Sequence, residues 1–75
     1  MTSRQAELEQ AILAIFAQAL GQEISAEADF FAMGGDSLAA EHVLAELSAR
    51  LGSNLPGWVL LDHPTAAGLA AVLSD

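Results

Sequence analysis

The sequence predicts an all-α fold, a small bundle of three main helices and one short extra turn, and three observations predict it. Apolar residues recur at three- and four-residue steps in two long stretches, helix-capping residues stand at the ends of those stretches, and no segment alternates with period two. The chain has 75 residues, 53% of them hydrophobic, and 16 are Ala. That length supports one domain, read as residues 1–75 with a core over about 7–73, and a hydrophobic core with little spare stability.

The first helix is expected from about Ser3 to Leu20. Leu8, Ile12, Ile15, Phe16 and Ala19 form one apolar stripe, which Leu13 and Leu20 widen. Ser3 is the expected N-cap and Gly21 the stop. Residues Gly21 to Asp36 have no helical period and hold three of the six glycines. They read as a long loop, the kind that in small domains is usually functional, with Ile24, Phe30, Phe31 and Met33 pinning it to the core.

A second helix is expected from about Ser37 to Leu51, with Gly52 as its stop. At 100° per residue, Ala40, Val43, Leu44, Leu47 and Leu51 share the core face. Leu38, His42, Ala45 and Ala49 fall on the opposite side, flanked by Glu41 and Glu46. Leu38 therefore projects outward at the very start of the helix, beside the long loop, and is a candidate for partner contact. Leu55-Pro56-Gly57 breaks the chain again. Trp58-Val59-Leu60-Leu61 is long enough for a single helical turn, with Leu60 or Leu61 as its core anchor. Pro64-Thr65 then opens a last helix of about nine residues, capped by Thr65, with Leu69, Val72 and Leu73 on one side.

Composition excludes several functions. Two basic residues, Arg4 and Arg50, face ten acidic ones, for a net charge of −8. Binding a phosphate backbone needs several Lys or Arg contacts, and an anionic membrane surface would repel this chain. The longest apolar run, Ala11 to Ala17, is far too short to span a bilayer, and the first residues lack the layout of a signal peptide. There is no Cys, so no disulfide, thiolate metal site or Cys nucleophile exists. The expectation is a monomeric acidic domain of the cytoplasm whose partners carry positive charge.

Gly34-Gly35-Asp36-Ser37-Leu38 is the most informative stretch. Two glycines permit positive φ angles or the close approach of another group. Asp36 stands where an N-cap belongs, able to accept from the N–H of Leu38 or Ala39, or to meet a metal while an enzyme is docked. Ser37 is left on the first helical turn with its hydroxyl reachable. A phosphate esterified there would lie at the positive end of the helix dipole. These five residues alone equally describe a plain loop and N-cap.

The surroundings are more specific. Phe30-Phe31-x-x-Gly34-Gly35-Asp36-Ser37-Leu38, then Leu44, Leu47 and Gly52, then Asp62-His63-Pro64-Thr65 and Leu69, resembles the thiolation (peptidyl or acyl carrier) domains of nonribosomal peptide and polyketide synthesis. The resemblance runs from about Glu7 to Leu73. It implies a four-helix bundle with a short third helix, and a 4′-phosphopantetheine arm carried on Ser37. It further implies a phosphopantetheinyl transferase that moves the arm from coenzyme A, an adenylation (loading) enzyme or acyltransferase, and downstream condensation, tailoring or thioesterase enzymes. On this reading the chain is not itself an enzyme, and the paired Phe with Gly-Gly-Asp-Ser favours the peptidyl branch over a polyketide acyl carrier. Leu38, Glu41, Glu46, Trp58 and Val59 are the candidate docking residues. The sequence departs from the family at Gly57-Trp58-Val59, where an apolar and then polar residues are common. There the indole is expected to lean, partly buried, into the gap left by Gly57.

Rival readings fare worse. Gly35-Asp36-Ser37-Leu38 also spells the signature of GDSL esterases, but such a serine needs a base, an orienting acid and an oxyanion hole on a larger scaffold. His42 lies on the same helix, roughly 140° around from Ser37. His42 and His63 match no metal-ligand spacing, and read as a surface residue and a turn residue. An unmodified helical docking adaptor would share the bundle and the acidity, but has no need of a reachable Ser after two glycines.

Overall fold

The computed structural model describes residues 3–74, which form four helices in the order α1 (Arg4–Leu20), α2 (Ser37–Leu51), α3 (Trp58–Asp62) and α4 (Ala66–Leu73), with no strand among the described residues. Ser3 Oγ accepts from Ala6 N–H at 3.0 Å, and Glu7 adds negative charge to the first turn of α1, where the helix dipole favours it. Gly21, at φ 69°, ends the helix in the left-handed region, with its N–H on Ala17 O at 2.8 Å. Thr65 Oγ1 caps α4 through Gly68 N–H at 3.0 Å.

Helix α1 is the spine, packing against both α4 and α2. Its stripe buries Leu8, Ile12, Ile15 and Phe16; α2 contributes Val43 and Leu47, α3 contributes Val59 and Leu60, and α4 contributes Ala66, Leu69 and Ala70. Leu13, Ala19, Leu20, Ala40, Leu44, Leu51, Val72 and Leu73 are half-buried around that cluster. Ala66 and Ala70 are buried because small side chains let α4 lie close to α1, a role that hydrophobic size alone does not advertise.

The expected single turn after Gly57 is a five-residue helix, and its orientation corrects two expectations. Val59 is only 3% exposed and belongs to the core, so it is not part of an outer docking spot. Trp58 is 57% exposed, standing further out in water than the partly buried ring expected. A Cβ built on Gly57 would meet nothing within 4 Å, so the missing side chain leaves open space rather than a hole in the core. The reason is helical: Val59 and Leu60 point inward, which turns Trp58 and Leu61, three residues apart, to the outside. His63 is the C-cap of α3, its N–H on Val59 O at 3.0 Å. The last helix has eight residues.

The long loop is anchored as expected by Phe30, with Phe31 and Ile24 half-buried against the core. Met33 is half-buried outside that cluster and makes its tie through its carbonyl instead. Phe30 has no exposed surface, and its ring lies 4.8 Å from that of Phe16 and 5.4 Å from that of Phe31, the latter edge-on. Two backbone bonds tie the loop to the start of α4: Phe30 N–H on Pro64 O at 2.8 Å and Ala67 N–H on Ala26 O at 3.0 Å. Truncation of this anchor, Phe30→Ala, is expected to cost about 3–5 kcal/mol, a large share of the roughly 5–15 kcal/mol that holds a domain folded. Urea unfolding measures it; a loss below about 1 kcal/mol would show that the loop is held by something else.

Candidate functional site

Ser37 is the first residue of α2, exposed, and placed there by the chain before it. Asp29 starts a tight turn, its Oδ1 accepting from Phe31 N–H at 2.9 Å and Ala32 N–H at 3.1 Å. Met33 N–H then bonds Asp29 O at 3.0 Å, Gly34 N–H bonds Phe31 O at 3.2 Å and Gly35 N–H bonds Phe30 O at 3.0 Å. Those last two bonds are the crossed pair of a Schellman ending, with Gly34 at the residue that must turn left-handed. Gly34 has φ 105°, which only glycine adopts without strain.

Gly35 is required for a different reason. A Cβ there would stand 2.7 Å from Phe30 O and closer still to the edge of the Phe30 ring. No larger residue fits without moving the core anchor. The buried phenyl ring thus sets where the backbone passes, two residues before the serine.

Asp36 is the N-cap of α2, with extended backbone and Oδ1 accepting from Ala39 N–H at 2.9 Å. Its carbonyl accepts from Ala40 N–H at 2.9 Å. The N–H groups of the first turn have no intrahelical acceptor and point along the axis past Ser37. A phosphate ester on the Ser37 oxygen would meet that positive end, with the capping carboxylate already engaged.

Leu38, next to the serine, is 77% exposed, and on α3 Leu61 is 66% and Trp58 57% exposed, a high value for each large apolar side chain. A groove of about 210 Å³ runs from Ser37 between α2 and α3, walled by Phe31, Ala40, Leu44, Leu60 and Leu61 with Glu41 at its edge. Glu41, Glu46 and His42 are all exposed on α2. Sequence reasoning missed Leu61 as an outward residue, because periodicity cannot orient a single turn. It also missed Gln22, whose Nε2 donates to Met33 O at 2.8 Å across eleven positions of sequence. Among the described residues no group of three or more His, Asp or Glu is placed to hold a metal ion.

Two substitutions separate cap from surface. Asp36→Ala removes the carboxylate that caps α2 and is expected to cost about 1 kcal/mol. Leu38→Ala is expected to cost within about 0.5 kcal/mol, because the side chain stands in water. Thermal unfolding of both checks the pair; a larger loss for Leu38→Ala than for Asp36→Ala would contradict this placement.

Comparison with known proteins agrees with the geometry. The family described as "Phosphopantetheine attachment site" matches residues 10–73. Surfactin synthase subunit 3 of Bacillus subtilis is 39% identical over 70 residues, covering 92% of this chain but 6% of that protein. The chain therefore spans a small fraction of the length of that relative. Among solved structures, BlmI, a type-II acyl-carrier-protein from Streptomyces verticillus involved in bleomycin biosynthesis, superposes with a TM-score of 0.91 at 32% identity, covering 95% of this chain and 87% of that one. A chain in the structure of the phosphopantetheine transferase Sfp in complex with coenzyme A and a peptidyl carrier protein gives a TM-score of 0.83 at 31% identity, covering 89% of this chain and 88% of that one. A capped helix that opens on an exposed serine, the four-helix architecture and the family match over most of the chain have one meaning: the chain belongs to the phosphopantetheine attachment site family, as a carrier domain.

Proposed function

We propose that Ser37 is the residue that takes the 4′-phosphopantetheine arm, and that residues 1–75 work as one peptidyl-type carrier unit in nonribosomal peptide or mixed peptide-polyketide assembly. One observation carries the assignment: Ser37 is exposed at the first position of α2, after two glycines whose roles are backbone turning and clearance over Phe30.

Attachment is a phosphoryl-centred substitution. Ser37 Oγ forms a bond to the phosphorus of coenzyme A that bears pantetheine, the pyrophosphate bridge breaks, and adenosine 3′,5′-bisphosphate departs. The serine proton passes to a base supplied by the transferase, since no His lies on Ser37's side of α2. When bound, the arm supplies a terminal thiol that holds acyl, aminoacyl or peptidyl groups as thioesters, a chemistry that this cysteine-free chain has no side chain to perform. The helix N-terminus favours the resulting phosphodiester charge.

The partners on this reading are a phosphopantetheinyl transferase, an adenylation or other loading enzyme, and downstream condensation, tailoring or thioesterase enzymes. Leu38, Trp58 and Leu61 offer them apolar contact, Glu41 offers negative charge one turn after the serine, and Glu46 adds charge further along the exposed surface of α2. Basic partners are expected to bind Glu41→Lys and Glu46→Lys variants more weakly, with the loss greater at low salt than at high salt.

Incubation with coenzyme A and a broad-specificity transferase, followed by intact mass, tests the site. The native chain is expected to gain one arm, and Ser37→Ala to stay folded and gain none. An arm on Ser25 or Ser53, or on the Ser37→Ala chain, would overturn the assignment.

A further inference from the structure

We propose that Gln22 is a positioning residue for arm attachment: from the end of α1 its side-chain amide fixes the Met33–Gly34 peptide and holds the turn that presents Ser37 in its binding-competent shape. The inference rests on Ser37 as the attachment site.

Three carbonyls of the turn over residues 29–35 are satisfied from within it. Asp29 O takes Met33 N–H, Phe30 O takes Gly35 N–H and Phe31 O takes Gly34 N–H. Met33 O is satisfied from outside the turn, by Gln22 Nε2 at 2.8 Å. Gln22 is itself well placed to act as a fixed post. It follows the Gly21 cap, and its own N–H bonds Ala17 O at 3.2 Å.

The bond matters because of where it falls. Met33 C=O and Gly34 N–H are the two ends of one peptide unit, so Gln22 holds one end and Phe31 O the other, the latter at the longer distance of 3.2 Å. Met33 is half-buried, but on the Gly34 side packing does not hold that unit. A Cβ on Gly34 would meet nothing within 4 Å, and glycine tolerates rotations on both sides of φ zero. Without the amide, the Met33–Gly34 plane keeps one direct bond, Gly34 N–H on Phe31 O, and its rotation would change the direction in which the chain leaves for Asp36 and Ser37. Gly35 itself stays tied to Phe30 O through its N–H at 3.0 Å, so the change is passed on along the chain. Gln22 is exposed, so its replacement removes the tether without opening the core.

A transferase that recognises one form of the turn binds a mixed population more weakly in proportion to the competent fraction, while bound chains react at the same rate. Gln22→Met keeps the length and neutrality of the side chain but cannot donate. It is expected to raise KM for arm transfer by about three- to tenfold with kcat unchanged, as a loss of competent fraction requires. Gln22→Lys, which keeps a donor on a long unbranched side chain, is expected to restore most of KM. Hydrogen exchange at Gly34 N–H is expected to quicken in the Met variant and to recover in the Lys variant, while the melting temperatures of all three chains stay together.

A native KM for Gln22→Met, or equal KM losses in the Met and Lys variants, would overturn the inference. Ser37→Ala in the same assay keeps the two questions apart. If that chain still accepts an arm, the attachment site itself is wrong and the tether falls with it. If it accepts none and Gln22→Met transfers normally, the site stands and only the tether fails.

Discussion

Phe30 carries the constraint on which the functional end of this domain depends. Its ring is fully buried against Phe16, its N–H is bonded to Pro64 O and its carbonyl receives Gly35 N–H. One residue thus joins the α1 core, the entrance to α4 and the last turn before α2. Gly35 passes so close to that ring and carbonyl that the path into Ser37 has no slack. Precision at an exposed serine is obtained by tying its approach to the most buried aromatic of the loop, a use of rigid packing to orient a surface group.

The rest of the molecule divides into an inward and an outward half. Inward, small Ala side chains bring α4 onto α1, and Val59 with Leu60 lock α3 down. Outward, Leu38 and Trp58 stand in water, and Leu61 does so at the wall of the groove that holds Ser37. Exposed apolar groups of this size cost solubility, which a net charge of −8 counters.

Much of this was legible in the sequence because the signals are local. Ser3, Asp36 and Thr65 are side-chain acceptors standing directly before apolar periodic segments, and each caps the helix expected of it. The inward faces of α1 and α2 follow from 3.6-residue spacing. Helix α3 is not legible in the same way: five residues make under one and a half turns, too few repeats for periodicity to say which side faces the core, so the burial of Val59 and the exposure of Trp58 do not follow from spacing. At the site, Gly34-Gly35 could be read as permissive, but the separate reasons for the two glycines need the Phe30 contact and a φ of 105°. Gln22 gave no signal at all, because a side-chain bond across eleven positions leaves no pattern in a single sequence.

The contact between Phe30 and Gly35 is tested most directly by the rate of arm transfer to Gly35→Ala, at a temperature where circular dichroism shows the variant folded. One methyl group there must displace either the ring or the backbone carbonyl, at about 1–3 kcal/mol of overpacking. The account predicts a folded chain whose transfer efficiency falls at least about tenfold, equivalent to roughly 1.4 kcal/mol of transition-state binding. Transfer at the native rate would contradict it, because Ser37 would then be presented correctly without the clearance that Gly35 provides.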